Sequence, residues 1–308
     1  NNMSNNNNEN NNLPFVISTT SITEILSLVD CVYIATPPST HAIIVEEVLK
    51  ANKHILLEKP LAVDINDCNT IVKLAEEGLS NNLIVSLNIG MRYNSALHEM
   101  KRLIFDSSFG TIQSVSLRLL FRQWPREWQK QPWVAQRLEG GPLLEVGTHW
   151  IFGILEIFGH DNYLSSTSHI QYPNENDDPD RILCESSCSG SLLFQVDSQP
   201  ITINFDVQTT NEEASNLGKD IYELIIEGSS GKRYVLYDFT RLREDILNND
   251  DNTTFTSIDL VTNATYGRNE CVIDCVDWIL KKRENIHYVT PKEARNSQII
   301  IETIKSRN

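Results

Sequence analysis

No apolar run in this chain of 308 residues approaches the ~20 that a membrane-crossing helix needs. The most apolar stretch, IFGILEIFG at 151–159, is short and carries Glu156. Basic charge is also scarce: 26 Lys and Arg stand against 41 acidic residues, a formal net charge of −15. That balance argues against nucleic-acid backbones and anionic membranes as partners. The cysteines (Cys31, Cys68, Cys184, Cys188, Cys271 and Cys275) lack zinc-ribbon or zinc-finger spacing, so no metal site is expected. Cys31 lies in an apolar run and reads as a buried thiol. No secretory pattern is visible, so the sequons at Asn252 and Asn263 carry little weight and a reducing, cytoplasmic location is expected. The glycine pattern G-x-G-x-x-G occurs nowhere.

What is present has a clear order. Nine of the first twelve residues are Asn, so 1–12 cannot bury a core and is expected to be disordered. From Leu13 strands and helices alternate. CVYIAT (31–36), HILLEK (54–59) and LIVSLNI (83–89) read as strands, with helices over 39–53 and 64–80, the second capped by Asp64. Such a βαβαβ run implies parallel strands with right-handed crossovers. After Arg92 the character changes. A helix at 94–106 leads to a long strand at 111–123, a Trp- and Pro-rich loop and a helix at 142–158. Strands are expected at 163–171, 181–196, 200–209, 220–227 and 232–238, then helices at 267–284 and 291–306. Short turns between these strands predict antiparallel pairing. EGSSGK (227–232) has the wrong spacing for a phosphate loop and reads as a hairpin turn. The fold class is therefore α/β: a parallel-sheet part over 13–92 and an α+β part over 93–308 with a large, mostly antiparallel open sheet.

Three stretches follow the carboxyl ends of the parallel strands: Thr36-Pro37-Pro38, Glu58-Lys59-Pro60, and Asn88 to Arg92. Ligands of open α/β sheets bind at those ends. Glu58 and Lys59 cannot share a strand face, because side chains alternate. One of them must turn inward or sit at the rim. A fourth stretch, GGPLLEVGTHW (140–150), sets Glu145 and His149 four apart, on one face if helical. Each has a plainer reading: a solvated charge pair for Glu58-Lys59, an i,i+4 helix pair for Glu145/His149, an interdomain salt bridge for Arg92.

VYIATPPSTH, LLEKPLA, MRYNSALHEMK, FGTIQSV and the closing CVIDCVDWIL and VTPKEARNSQIIIETI, at these spacings, resemble the glucose–fructose oxidoreductase / inositol dehydrogenase (Gfo/Idh/MocA) superfamily from Leu13 onward. The resemblance implies an NAD(P)-dependent oxidoreductase acting on a small sugar or cyclitol. It implies a Rossmann-type first part, here incomplete, and gives Lys59 and His149 the catalytic positions. A His with an ordinary pKa near ~6.5 suits removal of a hydroxyl proton, and Lys59 would polarise the oxygen. Glu145, where the family more often has Asp, would hold the imidazole in one tautomer. Thr36, Pro37, His41, Glu58, Lys59 and Arg92 would contact NAD or NADP, and Pro60 would fix the turn through a cis bond. Within the loop at 121–137, Arg126 and Trp133, with Trp124 and Trp128, would face the substrate, or equally a subunit interface. A homodimer or homotetramer through the open sheet is expected. The family's first two strands and glycine turn should precede Leu13, so a fragment of a longer polypeptide is expected. A non-catalytic ligand-binding regulator on the same fold is the competing reading.

Overall fold

A computed structural model of the chain describes residues 18–247, 255–282 and 287–306. The Asn-rich segment 1–12 lies outside them. A short helix α1 (Ile22–Leu26) precedes β1 (Cys31–Ile34), a 3₁₀ turn at Pro38–Thr40, α2 (His41–Lys50), β2 (His54–Glu58), α3 (Ile65–Ser80) and β3 (Val85–Asn88). The three strands form a parallel sheet in the order β1-β2-β3, with Glu58 opposite Asn88. Ile55, Leu56 and Leu57 of β2 are all buried, as expected of a central parallel strand covered on both faces. α3 starts at the expected cap. The Asp64 carboxylate accepts from the amides of Asn66 and Asp67 at 2.8 and 3.0 Å, which satisfies two of the donors that a helix start leaves unpaired.

Asn94 caps α4 (Ser95–Ile104) by accepting from the Leu97 amide at 3.1 Å. β4 (Ile112–Leu120) follows, then the loop, and α5 (Thr148–Phe158). After α5 come β5 (Tyr163–Gln171), β6 (Ser187–Val196), β7 (Gln199–Gln208), α6 (Glu212–Leu217), β8 (Ile221–Gly228), β9 (Lys232–Tyr237), β10 (Arg241–Leu247), β11 (Phe255–Val261), α7 (Arg268–Ile279) and α8 (Pro291–Lys305). The second sheet has eight strands in the order β11-β10-β9-β8-β4-β7-β6-β5. Every neighbouring pair is antiparallel except β4 and β7. The segment at 227–232 is the β8–β9 hairpin turn.

Three departures from expectation have physical causes. β10 and β11 were not anticipated. RLREDIL is rich in charge and β11 is exposed along nearly its whole length, so neither carries the one-sided apolar alternation of a half-buried strand. The strand expected from 181 begins only at Ser187, because the Asp178 carboxylate takes the amides of Ile182 and Leu183 at 3.0 and 2.9 Å. The helix expected over 142–158 opens with a wider π turn at Leu143–Gly147.

α5 is buried along its length except for Glu156, and it packs against α4 and α8. α8 in turn lies on β5. One continuous apolar core joins both sheets through these helices. On β5 and β7 buried and more exposed side chains alternate, so the second sheet keeps an open face. Among the described residues no helix is long and apolar enough to cross a membrane.

Two loops cross where each lacks a side chain. A Cβ on Gly90 would sit 2.0 Å from the Tyr266 carbonyl oxygen, and one on Gly267, at φ +85°, would sit 2.1 Å from the Gly90 carbonyl oxygen. Carbon atoms in contact stay roughly 3.5–4.0 Å apart, so any substitution forces the backbones to separate. Gly90→Ala and Gly267→Ala are each expected to cost ~2–4 kcal/mol, read as a lower urea midpoint. A midpoint within experimental error of the parent chain in both would show that the crossing is not tight.

Candidate functional site

At the carboxyl end of β2 the chain reverses the direction of two adjacent charged side chains. Glu58 turns along the sheet edge, where its carboxylate accepts from the Tyr33 hydroxyl and from the Asn88 side-chain amide, the latter at 2.7 Å. Lys59 turns inward, is followed by a cis bond to Pro60, and donates to the Glu145 carbonyl at 3.0 Å and to Glu145 Oε2 at 3.3 Å. The strand end is a rim, and both charges are used.

Lys59, Glu145, Val146 and His149 line one pocket with Arg126, Trp128, Phe239, Tyr266 and Arg268, of about 430 Å³. The sequence places its residues 59 and 149 far apart, and the fold brings them to one hollow between the parallel sheet and α5. The π turn explains how Glu145 reaches Lys59. Its i→i+5 geometry changes the angle between positions 145 and 149, and such turns recur at functional sites. The expected Glu145–His149 hydrogen bond is consequently absent. His149 Nδ1 and Glu145 Oε1 are buried without a hydrogen-bond partner.

The imidazole is positioned instead by aromatic edges. Phe239 lies 6.0 Å from the His149 ring at 87°, and Tyr266 lies 5.7 Å away at 65°. Phe239 sits at the tip of the β9–β10 hairpin, where Asp238 and Phe239 both have positive φ, 49° and 65°. A bulky residue in that region is strained. Asn94 holds it there by donating to the Phe239 carbonyl at 2.5 Å. Burial lowers the His149 pKa well below 6.5, and the positive charges of Lys59, Arg268 and Arg126 add to the effect. The ring is neutral at pH 7.

Other expected site residues are distributed differently. His41 is fully buried. Its Nδ1 faces the Leu61 carbonyl at 3.1 Å and Nε2 the Thr36 carbonyl at 3.0 Å. A neutral imidazole has a single N–H, so the ring donates to one of these two carbonyls, and both nitrogens are enclosed by the strand-end turn it fastens. Arg92, expected at the nicotinamide end, is instead ion-paired with Glu156 at 3.0 Å and Glu293 at 2.5 Å and lies over Phe152. It ties β3's following turn to α5 and α8, away from the pocket. Trp133 lies on the 3₁₀ turn Pro132–Ala135, outside the pocket lining, and Trp124 donates to the Val134 carbonyl at 3.1 Å within the loop. Thr36 is exposed beside half-buried Pro37 at the end of β1, with its hydroxyl on Thr40.

Sequence reasoning missed Tyr33, Phe239, Tyr266 and Arg268. The last two had one weak sign, a glycine flanked by an aromatic and an arginine (Tyr266-Gly267-Arg268) just before a helix. For a nicotinamide dinucleotide, the described residues fit the ribose end. Asn88 Oδ1 is buried without a partner, and beside it the Glu58 carboxylate can accept from hydroxyls. Glu58, Asn88 and Thr36 would hold that part. No glycine-rich strand-to-helix turn that would receive a pyrophosphate occurs among the described residues.

The family model described as an oxidoreductase family with an NAD-binding Rossmann fold matches residues 3–86. The dTDP-3,4-didehydro-2,6-dideoxy-alpha-D-glucose 3-reductase of Streptomyces violaceoruber is 32% identical over 121 residues, which are 39% of this chain and 34% of that protein. The UDP-N-acetylglucosamine 3-dehydrogenase of Acidithiobacillus ferrooxidans is 29% identical over 87 residues, 28% of this chain and 27% of that protein. The chain thus spans about a third of the length of these curated relatives. The WlbA dehydrogenase of Bordetella pertussis, solved with NADH and UDP-GlcNAcA, superposes with a TM-score of 0.70 over 93% of this chain and 80% of its own, at 15% identity.

The buried neutral imidazoles give stability a definite pH slope. Unfolded, His149 and His41 bind protons below ~6.5; folded, both pKa values are lowered, chiefly by burial. The unfolded chain therefore binds more protons as pH falls, so this stability is complete above ~6.5 and is lost on acidification. The urea midpoint is expected to fall between about pH 7.5 and about pH 5.5, and less steeply in His149→Gln. An identical slope in that variant would place the proton uptake elsewhere.

Proposed function

We propose that the chain is an oxidoreductase of the Gfo/Idh/MocA type, a reading supported by the family-model match over residues 3–86 and by the partial likeness to sugar-nucleotide reductases and dehydrogenases, and that it transfers hydride between NAD or NADP and a carbinol or carbonyl carbon of a small polyhydroxylated substrate of the sugar or cyclitol class. The observation that carries this reading is the meeting of Lys59, Glu145 and His149 in one pocket beside the carboxyl end of a parallel sheet. The named activities of the relatives on nucleotide-linked sugars support the substrate class. Residues 13–92 would carry the nucleotide and 93–308 the substrate. The open face of the eight-stranded sheet would join two copies, in the cytoplasm.

The nicotinamide, when bound, supplies the hydride acceptor or donor. His149 takes the hydroxyl proton as the carbinol is oxidised and returns it in reduction, a role that its neutral form at pH 7 permits. Lys59 has one ammonium hydrogen beyond those given to the Glu145 carbonyl and carboxylate. It donates that hydrogen to the reacting oxygen and stabilises the negative charge that develops there. Glu145 therefore positions Lys59. Phe239 and Tyr266 keep the imidazole plane fixed and exclude water from it. Glu58 and Asn88 accept from ribose hydroxyls, and Arg126 faces the substrate.

Lys59→Met and His149→Ala are each expected to lower turnover by roughly 10²–10⁴-fold, assayed on a polyol and sugar-acid panel with both nicotinamide cofactors. NADH or NADPH affinity, read by fluorescence titration, should change little. Parent-like turnover in both variants would sink this mechanism.

A further inference from the structure

The pocket holds more positive charge than its carboxylate offsets. Lys59 is partnered by Glu145. Arg126 and Arg268 have no ion-pair partner among the described residues, whereas Arg92, Arg118, Arg137 and Arg243 all meet carboxylates. In a chain with 15 more acidic than basic residues, one hollow is thus lined by two guanidinium groups beyond ion-pair distance of any described carboxylate, Arg126 half-buried and Arg268 exposed at the rim.

Both are pinned by neutral groups. Arg126 donates to Gln129 Oε1 at 3.0 Å and to the Tyr222 hydroxyl at 3.4 Å, and lies 4.6 Å over Trp128 and 5.4 Å over Trp124. Arg268 lies 5.0 Å over Tyr266. A guanidinium stacked on rings keeps its in-plane N–H edges free and loses little freedom when it binds. The acids nearest Arg126 are otherwise placed: Glu127 is exposed, and Asp220 accepts from the Tyr222 hydroxyl at 2.7 Å and the Arg122 amide at 2.9 Å. Lys59, Arg126 and Arg268 against Glu145 leave the pocket two positive charges in excess. A neutral polyol would engage neither charge. A planar or tetrahedral oxyanion fits the paired donors of an arginine.

We propose that this pocket selects a polyhydroxylated substrate bearing an oxyanion, a carboxylate or a phosphate, which Arg126 and Arg268 clamp while a neighbouring carbinol faces His149. The position of the carbinol rests on the dehydrogenase reading; the preference for an anion is a binding property in its own right. A second hollow of about 160 Å³ shares Arg126 and Trp128 and is lined by Arg122 and Lys219 together with Glu127 and Asp220, so the excess of positive charge is concentrated in the first pocket.

The test is equilibrium binding to the full chain, by calorimetry or tryptophan fluorescence, of D-glucuronate against D-glucuronamide and of D-glucose 6-phosphate against D-glucose. At least one anion should bind about tenfold tighter than its neutral counterpart, ~1.4 kcal/mol, and added NaCl should erode that preference. Arg126→Gln and Arg268→Gln should each reduce the ratio of anionic to neutral affinity to about twofold. The preferred pair tells carboxylate from phosphate. Equal affinity within both pairs, no detectable binding of any probe, a preference indifferent to salt in the parent chain, or one retained in both variants would overturn the proposal. Anion preference without nicotinamide-dependent turnover would remove the dehydrogenase reading and leave this one; turnover of neutral polyols without anion preference would do the reverse.

Discussion

The contact between Lys59 and Glu145 is the constraint on which the pocket depends. It joins the end of β2 to the π turn ahead of α5, two elements that the sequence separates widely, and it is largely screened from water, with side-chain exposures of 14% and 9%. Removing one member of such a pair leaves the other charge desolvated and uncompensated. The contact also decides what Glu145 does. Glu145 meets Lys59 through Oε2 while its Oε1 reaches neither ring nitrogen of His149, so the imidazole is bordered by the rings of Phe239 and Tyr266 and has no hydrogen-bonded carboxylate to favour its protonation.

Electrostatics and packing therefore act in the same direction. Burial already disfavours imidazolium, and three nearby cations disfavour it further. At the cofactor side the arrangement is different. Glu58 is tied to Tyr33 and Asn88, and burial, with the hydrogen bond to Glu58 adding to it, pushes the Tyr33 phenol up to about 12. One end of the site accepts hydrogen bonds from hydroxyls, and the other presents positive charge.

The parallel half was legible because its signals are local: buried apolar runs, Asp64 as a cap, and a Glu-Lys-Pro turn whose chemistry demands a rim. Lys59 and His149 could be singled out, since each stands at the end of a recognisable element. The angle between Glu145 and His149 could not, because a π turn has no distinct periodicity and an i,i+4 spacing reads as α-helical. For Arg92 the sequence left cofactor contact and an interdomain salt bridge both open, and the structure shows ion pairs. Its partners, Glu156 and Glu293, lie on α5 and α8, and only the packed core shows that they meet. β11 escaped because it is exposed on both faces, and β10 because its buried positions are a lone Leu242 and the acid Asp245; Phe239, Tyr266 and Arg268, in the segments flanking these two strands, escaped with them.

The tip of the β9–β10 hairpin has a wider implication. There a phenylalanine adopts a backbone conformation that a glycine would occupy with less strain, and its ring borders both His149 and Trp150. Local stability and the alignment of the His149 ring therefore pull against each other at a single position. Drift toward a more comfortable turn would spare the fold and loosen the imidazole, so a hairpin tip of the second sheet, remote in sequence from both His149 and the parallel strands, is answerable for how the imidazole points.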